Sequence, residues 1–195
     1  MKRNTWVAGL VVAALSAAPV FAQAPQGQLQ TVSSTGAKSL DAMARAQTDA
    51  ALASQIAKQV RRYVNYSIFD DVNIEVEGGV ATLSGRVTMP YKAKDLGRVA
   101  GKVRGVTEVK NDLAVLPVSI GDDRLRRSLA RQIYGSGLFQ PYAFHVNPPI
   151  HIIVERGNVT LTGAVSSEVE RVKAEMIART TFGVFGVENR LVVAS

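Results

Sequence analysis

The chain has 195 residues, 23 of them Lys or Arg against 16 Asp or Glu, with two His and no Cys. Without cysteine there is no disulfide framework, no thiol chemistry and no residue at which a bacterial lipoprotein is acylated. The length leaves room for one or two small domains, and the positive surplus favours anionic partners.

The chain opens with Lys2 and Arg3, an apolar run from Trp6 to Ala18, then Pro19 and small residues. This pattern predicts a secretory signal peptide over 1–22, cut after Ala22 with Val20 and Ala22 at the −3 and −1 positions, and with Ala24 as the second choice. The apolar run falls short of the roughly 20 residues that span a bilayer, so the expected mature chain is exported and carries no transmembrane segment. Residues 23–48 are rich in Gln, Ser, Thr, Ala and Gly. They bury too little apolar surface to offset ordering entropy and are expected to form a flexible leader, its last turns from Ser39 joining the next helix.

Asp49 then precedes Leu52, Ile56 and Val60, an acidic N-cap followed by one buried helix stripe. Next comes a hairpin pattern: Val72, Ile74 and Val76 alternate, Gly78-Gly79 turns, and Ala81, Leu83 and Val87 return on the same face. Leu96, Val99, Ala100 and Val103 are spaced for a helix. Gly105 stops it, and Val109, Leu113 and Val115 form a last strand.

The same order then recurs. Asp122 or Asp123 precedes Leu125, Leu129 and Ile133; Ile150, Ile152 and Val154 lead through Arg156-Gly157-Asn158 to Val159, Leu161 and Val165. Ser167 and Glu170 make a capping-box pattern before Ala174, Ile177, Ala178 and Thr181. Gly183 follows, then Val187, Leu191 and Val193. Shifting the chain by 78 positions aligns 70–115 with 148–193 without a gap, and 15 of the 46 pairs are identical. Two copies are too few for a solenoid. The expected fold class is α+β: two tandem α-β-β-α-β domains, 49–117 and 118–195, each a three-stranded sheet with two helices on one face.

The hairpins IEVEGGVATLSGRV and IIVERGNVTLTGAV, with the closing segments GVTEVKNDLAV and GVFGVENRLVV, resemble the BON domain family over about three quarters of the chain. Copy one departs from the pattern at Ala81, carrying the valine one place earlier at Val80. The resemblance implies a periplasmic or envelope protein that is not an enzyme and that binds phospholipid surfaces or other envelope components, in a setting of envelope stress.

Residues suited to catalysis are sparse. His145 and His151 flank Pro148-Pro149 with no obvious nucleophile to serve, and Gly135-Ser136-Gly137 is not a nucleophile elbow. The pairs Asp70-Asp71 and Asp122-Asp123 read as caps and turn residues. No metal or other cofactor is expected. Asn111 and Asn189 fall among inward-facing apolar residues of the last strands, where a buried amide must find partners or cost about 1–3 kcal/mol. They read as ties to neighbouring backbone.

Charge is the stronger clue. Without Lys2 and Arg3, 21 basic residues face 16 acidic ones, a net charge of +5. Export argues against nucleic acid and favours an anionic phospholipid surface or envelope polymer. Arg124, Arg127 and Arg131 form one helical stripe, followed by Tyr134, Leu138 and Phe139. These six residues are the candidate lipid contact, cations at the headgroups and apolar groups inserted. In copy one the equivalent helix offers Lys58, Arg61 and Arg62 with Gln55 and Gln59. On the sheet face away from the helices copy one is polar, whereas copy two carries Ile153, Ala164 and Val192. This candidate protein-contact patch is expected to pack on copy one or on a partner. It leaves open a second reading, a chaperone-like or scaffolding protein that holds other periplasmic proteins there.

Overall fold

The computed structural model describes residues 33–194, with side chains from residue 41 onward. The expected signal peptide and the first part of the leader, 23–32, lie outside the described residues. Leu40–Ser195 form one compact unit that contains both copies.

The first copy comprises α1 (Ser33–Arg62), β1 (Asp71–Glu77), β2 (Val80–Val87), α2 (Pro90–Gly101) and β3 (Glu108–Val115). The second comprises α3 (Ile120–Tyr134), a short α4 (Gln140–Ala143), β4 (Ile150–Glu155), β5 (Asn158–Val165), α5 (Glu168–Thr180), β6 (Gly186–Asn189) and β7 (Val192–Val193). In each copy the middle strand pairs antiparallel with the hairpin partner and parallel with the closing strand. The hairpin registers are equivalent: Ile74 faces Leu83 and Ile152 faces Leu161. The fold is therefore the α+β tandem, with two differences from expectation. Helix α4 is inserted before the second hairpin, and the second closing strand is split into β6 and β7 on either side of Arg190 and Leu191.

Each copy has its own core. In the first, Ile56 and Val60 of α1 and Leu96 and Ala100 of α2 cover Ala81, Leu83 and Val87. In the second, Leu129, Ile133, Ala174 and Ala178 cover Ile152, Val154, Leu161 and Val165. The period-2 and period-3.6 stripes meet because both helices lie on one side of the sheet.

The helix starts differ from the sequence reading. Helix α1 begins at Ser33, so 33–48 are helical and the helix starts earlier than the expected Ser39. Asp49 is therefore inside a helix and cannot be its N-cap. The cap of α3 is Ser119, whose Oγ accepts from Asp122 N at 3.1 Å. Asp49 and Asp122 instead reach across to the hairpins. Asp49 accepts from the N–H groups of Gly78 and Gly79 at 2.9 and 3.2 Å, and Asp122 from those of Arg156 and Gly157 at 2.9 and 3.0 Å. Both two-residue turns have two consecutive positive φ angles, the conformation whose twist suits a tight hairpin. It aims both turn N–H groups at one carboxylate.

The capping box at α5 is also rearranged. Ser167 Oγ accepts from Glu170 N at 3.3 Å, but the Glu170 carboxylate takes Ser166 N at 2.7 Å and the Tyr142 hydroxyl at 2.7 Å. It thereby ties α4 to α5. Asn111 donates to Ala93 O at 2.7 Å and Asn189 to Arg171 O at 2.9 Å, each fastening a closing strand to the helix before it.

Candidate functional site

The two copies join along the outer edge and outer face of the second sheet. The N–H of Ile152 donates to Ile68 O at 2.7 Å, and His151 Nδ1 donates to Asp70 O at 2.6 Å. Thr162 Oγ1 donates to Asp71 at 2.9 Å, Asn147 to Arg61 O at 2.8 Å, and Arg86 pairs with Glu155 at 3.5 Å. The Tyr66 ring lies 5.4 Å from that of His151.

This junction covers part of the apolar patch expected on copy two. Ile153 is only 2 % exposed, whereas Val192 is 65 % exposed and Ala164 is exposed. The three residues therefore do not form one open face, because the first copy lies over the Ile153 end. His151 is a packed junction residue, while His145 is exposed and meets Tyr142 edge-on. No group of three or more potential metal ligands occurs among the described residues.

Behind the junction sits a buried polar node. Asp70 is fully buried; its carboxylate accepts from Lys92 Nζ at 2.6 Å, Ser67 N and Oγ at 2.9 and 2.7 Å, and Thr88 N and Oγ1 at 2.8 and 2.9 Å. Burial pushes this carboxyl up, but Lys92, Ser67 and Thr88 outweigh it and hold the group below the usual carboxylate range. For His151 burial dominates and lowers the imidazole, opposed by Asp70 O and the nearby Asp71 charge. Asp70 thus closes the turn that starts at Ser67, as a turn residue, and is also a buried ion-pair partner whose backbone carbonyl meets the second copy.

The candidate lipid-contact residues divide. Arg124, Arg127 and Arg131 are exposed along α3 and enter no ion pair among the described residues. The apolar anchors expected to follow them are not available as a set. Phe139 is fully buried, because α4 turns it back into the second core against Tyr142, ring centroids 6.3 Å apart. Tyr134 is half-buried, with its hydroxyl donating to Ile150 O at 2.5 Å and accepting from Ile150 N at 3.2 Å. Leu138 alone of the three stays exposed, at 41 %.

The fold places other aromatics beside the arginines. Phe182 and Phe185, in the loop between α5 and β6, are 101 % and 84 % exposed and line a shallow apolar hollow with Arg124, Leu125, Ser128 and Arg156. Sequence reading missed them because they sit in the turn after a helix, outside any periodic stripe. The 78-residue shift was the available signal: it sets Phe182 against Arg104 and Phe185 against Thr107, so the aromatic pair belongs to copy two alone. In copy one the basic residues lie elsewhere, with Lys58 and Arg62 of α1 facing Lys102 and Arg104 across a groove.

Two small open-sheet modules, each with its helices on one side and with a buried polar node behind their junction, define a tandem-repeat α+β protein. The chain belongs to the BON domain family: the family model "BON domain" matches it twice, at residues 48–117 and 121–195. A relative is "Osmotically-inducible protein Y" of Escherichia coli (strain K12), 29 % identical over 130 residues, covering 62 % of this chain. The match spans 61 % of that relative's length. Among solved structures the chain is similar to the C-terminal domain of CdsD, a structural protein of the type III secretion system of Chlamydia trachomatis. That match has 15 % identity, a TM-score of 0.31, and covers 75 % of this chain and 67 % of that one. A second CdsD structure matches at 11 % identity and TM-score 0.29, over 72 % and 94 % of the two chains. No helix among the described residues is long and apolar enough to cross a membrane.

Proposed function

We propose that this is an exported, periplasmic, non-enzymatic protein of the envelope that meets anionic phospholipid through the second copy and serves under osmotic or related stress. The stress setting follows the relative named for osmotic induction; the export follows the leader sequence. The observation that carries the lipid reading is the exposed Phe182 and Phe185 pair beside Arg124, which enters no ion pair among the described residues. Each arginine at an anionic surface contributes about 1 kcal/mol, so the stripe of three supplies about 3, too little to hold a monomer. Each Phe side chain taken out of water adds about 1.5–3 kcal/mol. Cations for the headgroups and rings for the interface are the two components that peripheral attachment requires.

The test is co-sedimentation of the mature chain with phosphatidylglycerol-containing vesicles and with phosphatidylcholine vesicles. Pelleting is expected with the first only, reversed by high salt. It should be lost in Arg124→Glu/Arg127→Glu protein and reduced in Phe182→Ser/Phe185→Ser protein. Equal pelleting with both vesicle types rejects the reading.

A further inference from the structure

The hairpin registers show that Ile150, Ile152 and Val154 turn their backbone groups away from β5, and the equivalent Val72, Ile74 and Val76 turn theirs away from β2. In the second copy four of these six outward groups have partners. Tyr134 takes both polar groups of Ile150, Ile68 O takes the N–H of Ile152, and Arg126 Nη2 donates to Val154 O at 2.6 Å. All three strand residues are 0 % exposed.

The first copy has none of these covers. Matching the two turn-clamping carboxylates sets α1 on α3 at a shift of 73, so Ala53 stands where Arg126 does and Arg61 where Tyr134 does. Alanine has no donor, and Arg61 is exposed with no side-chain hydrogen bond or ion pair among the described residues. The outward backbone groups of Val72, Ile74 and Val76 have no hydrogen-bond partner there, and all three side chains are partly exposed. The solvent face of the same strand carries Glu75 and Glu77, both exposed and neither in an ion pair among the described residues.

We propose that the β1 edge of the first copy receives an extended segment of another polypeptide as an added strand. An open edge offers a ladder of main-chain hydrogen bonds, and alternate side chains set the choice of partner. The chemistry selects a segment that alternates: basic residues on the solvent side opposite Glu75 and Glu77, apolar residues on the other side against Val72, Ile74 and Val76. A second copy of this chain does not meet that requirement, since antiparallel self-pairing about Ile74 sets Glu77 opposite Asp71. This interaction is independent of the lipid-facing surface, which lies on copy two.

The experiment is fluorescence anisotropy of the mature chain with a labelled heptapeptide of alternating lysine and valine. Its controls are a glutamate-valine heptapeptide and the lysine-valine peptide N-methylated at every second residue. Saturable binding of the first peptide alone is expected, at least tenfold weaker in Glu75→Lys/Glu77→Lys protein. It should also be at least tenfold weaker in Ile74→Pro protein, which loses an outward N–H that an edge strand can spare. Equal binding of the N-methylated peptide would reduce the contact to charge and overturn the proposal. So would absence of binding, or a wild-type dimer in sedimentation that Ile74→Pro disperses.

Discussion

Asp49 and Asp122 make the same contact in the two copies: each carboxylate, carried on a helix, accepts both N–H groups of the hairpin turn. The environments differ. Asp122 is 5 % exposed, whereas Asp49 is only half-buried; each turn has one exposed and one buried residue. Water competes more readily for the half-buried Asp49 carboxylate than for the buried Asp122 one, and hydrogen bonds to charged groups contribute about 1.5–3 kcal/mol. Asp122→Ala is expected to lower stability by about 2–3 kcal/mol and Asp49→Ala by about 1, measured as urea midpoints with the slope unchanged.

Asp70 and Lys92 form a buried pair in which neither residue is more than 6 % exposed. Removing one partner leaves the other charge buried without compensation, a loss of about 3–5 kcal/mol. Asp70→Ala should therefore be among the most destabilising single changes in the chain. A wild-type denaturation midpoint in Asp70→Ala protein would show that water reaches the node.

The same carboxyl gives an acid limb. Its folded value is held below its unfolded value of about 3.9, so its contribution is complete above that pH and is lost as pH falls through the folded value. Thermal melts should show a loss below about pH 4 that Asp70→Asn, already destabilised, does not share.

His151 acts at milder pH. Burial lowers its folded value beneath the unfolded value of about 6.5, so the stabilising neutral form is fully favoured above that pH. The contribution falls away between about 6.5 and the lower folded value. Melting temperature should drop from pH 7.5 to pH 5.5 in the wild type and less in His151→Asn protein. An identical drop in both would assign the effect to other groups.

Phe139 and Phe182 separate core from surface. Phe139→Ala empties a fully buried site and should cost about 3–5 kcal/mol. Phe182→Ser, at a residue already in water, should leave the melting temperature within a degree or so while reducing vesicle pelleting. A vesicle effect confined to the Phe139 variant would contradict the proposed surface.

The duplication, strand pairing and helix faces were legible because they depend on periodicity and glycine placement, which act over a few residues. Ile56, Leu83, Leu96 and their equivalents in the second copy lie where the stripes put them. Asp49 and Asp122 were misread for a related reason: an acid before an apolar stripe has the local form of a cap. Only the hairpin folded back over the helix reveals its partner. Phe139 failed similarly. It follows the arginine stripe in sequence, but α4 reverses the chain between Leu138 and Phe144 and buries it.

The amino-acid order by itself determined two copies of one unit, their sheet and helix faces and a stripe of three arginines, since each follows from side-chain period and charge along a short stretch. Which aromatics stand beside those arginines, which strand edge is plugged, and what Asp70 holds together were decided only by tertiary structure. Each depends on groups far apart in the chain, such as Phe182 with Arg124, Arg126 with Val154 and Asp70 with His151. No local pattern encodes a contact whose two halves meet only after the sheet and its helices have packed.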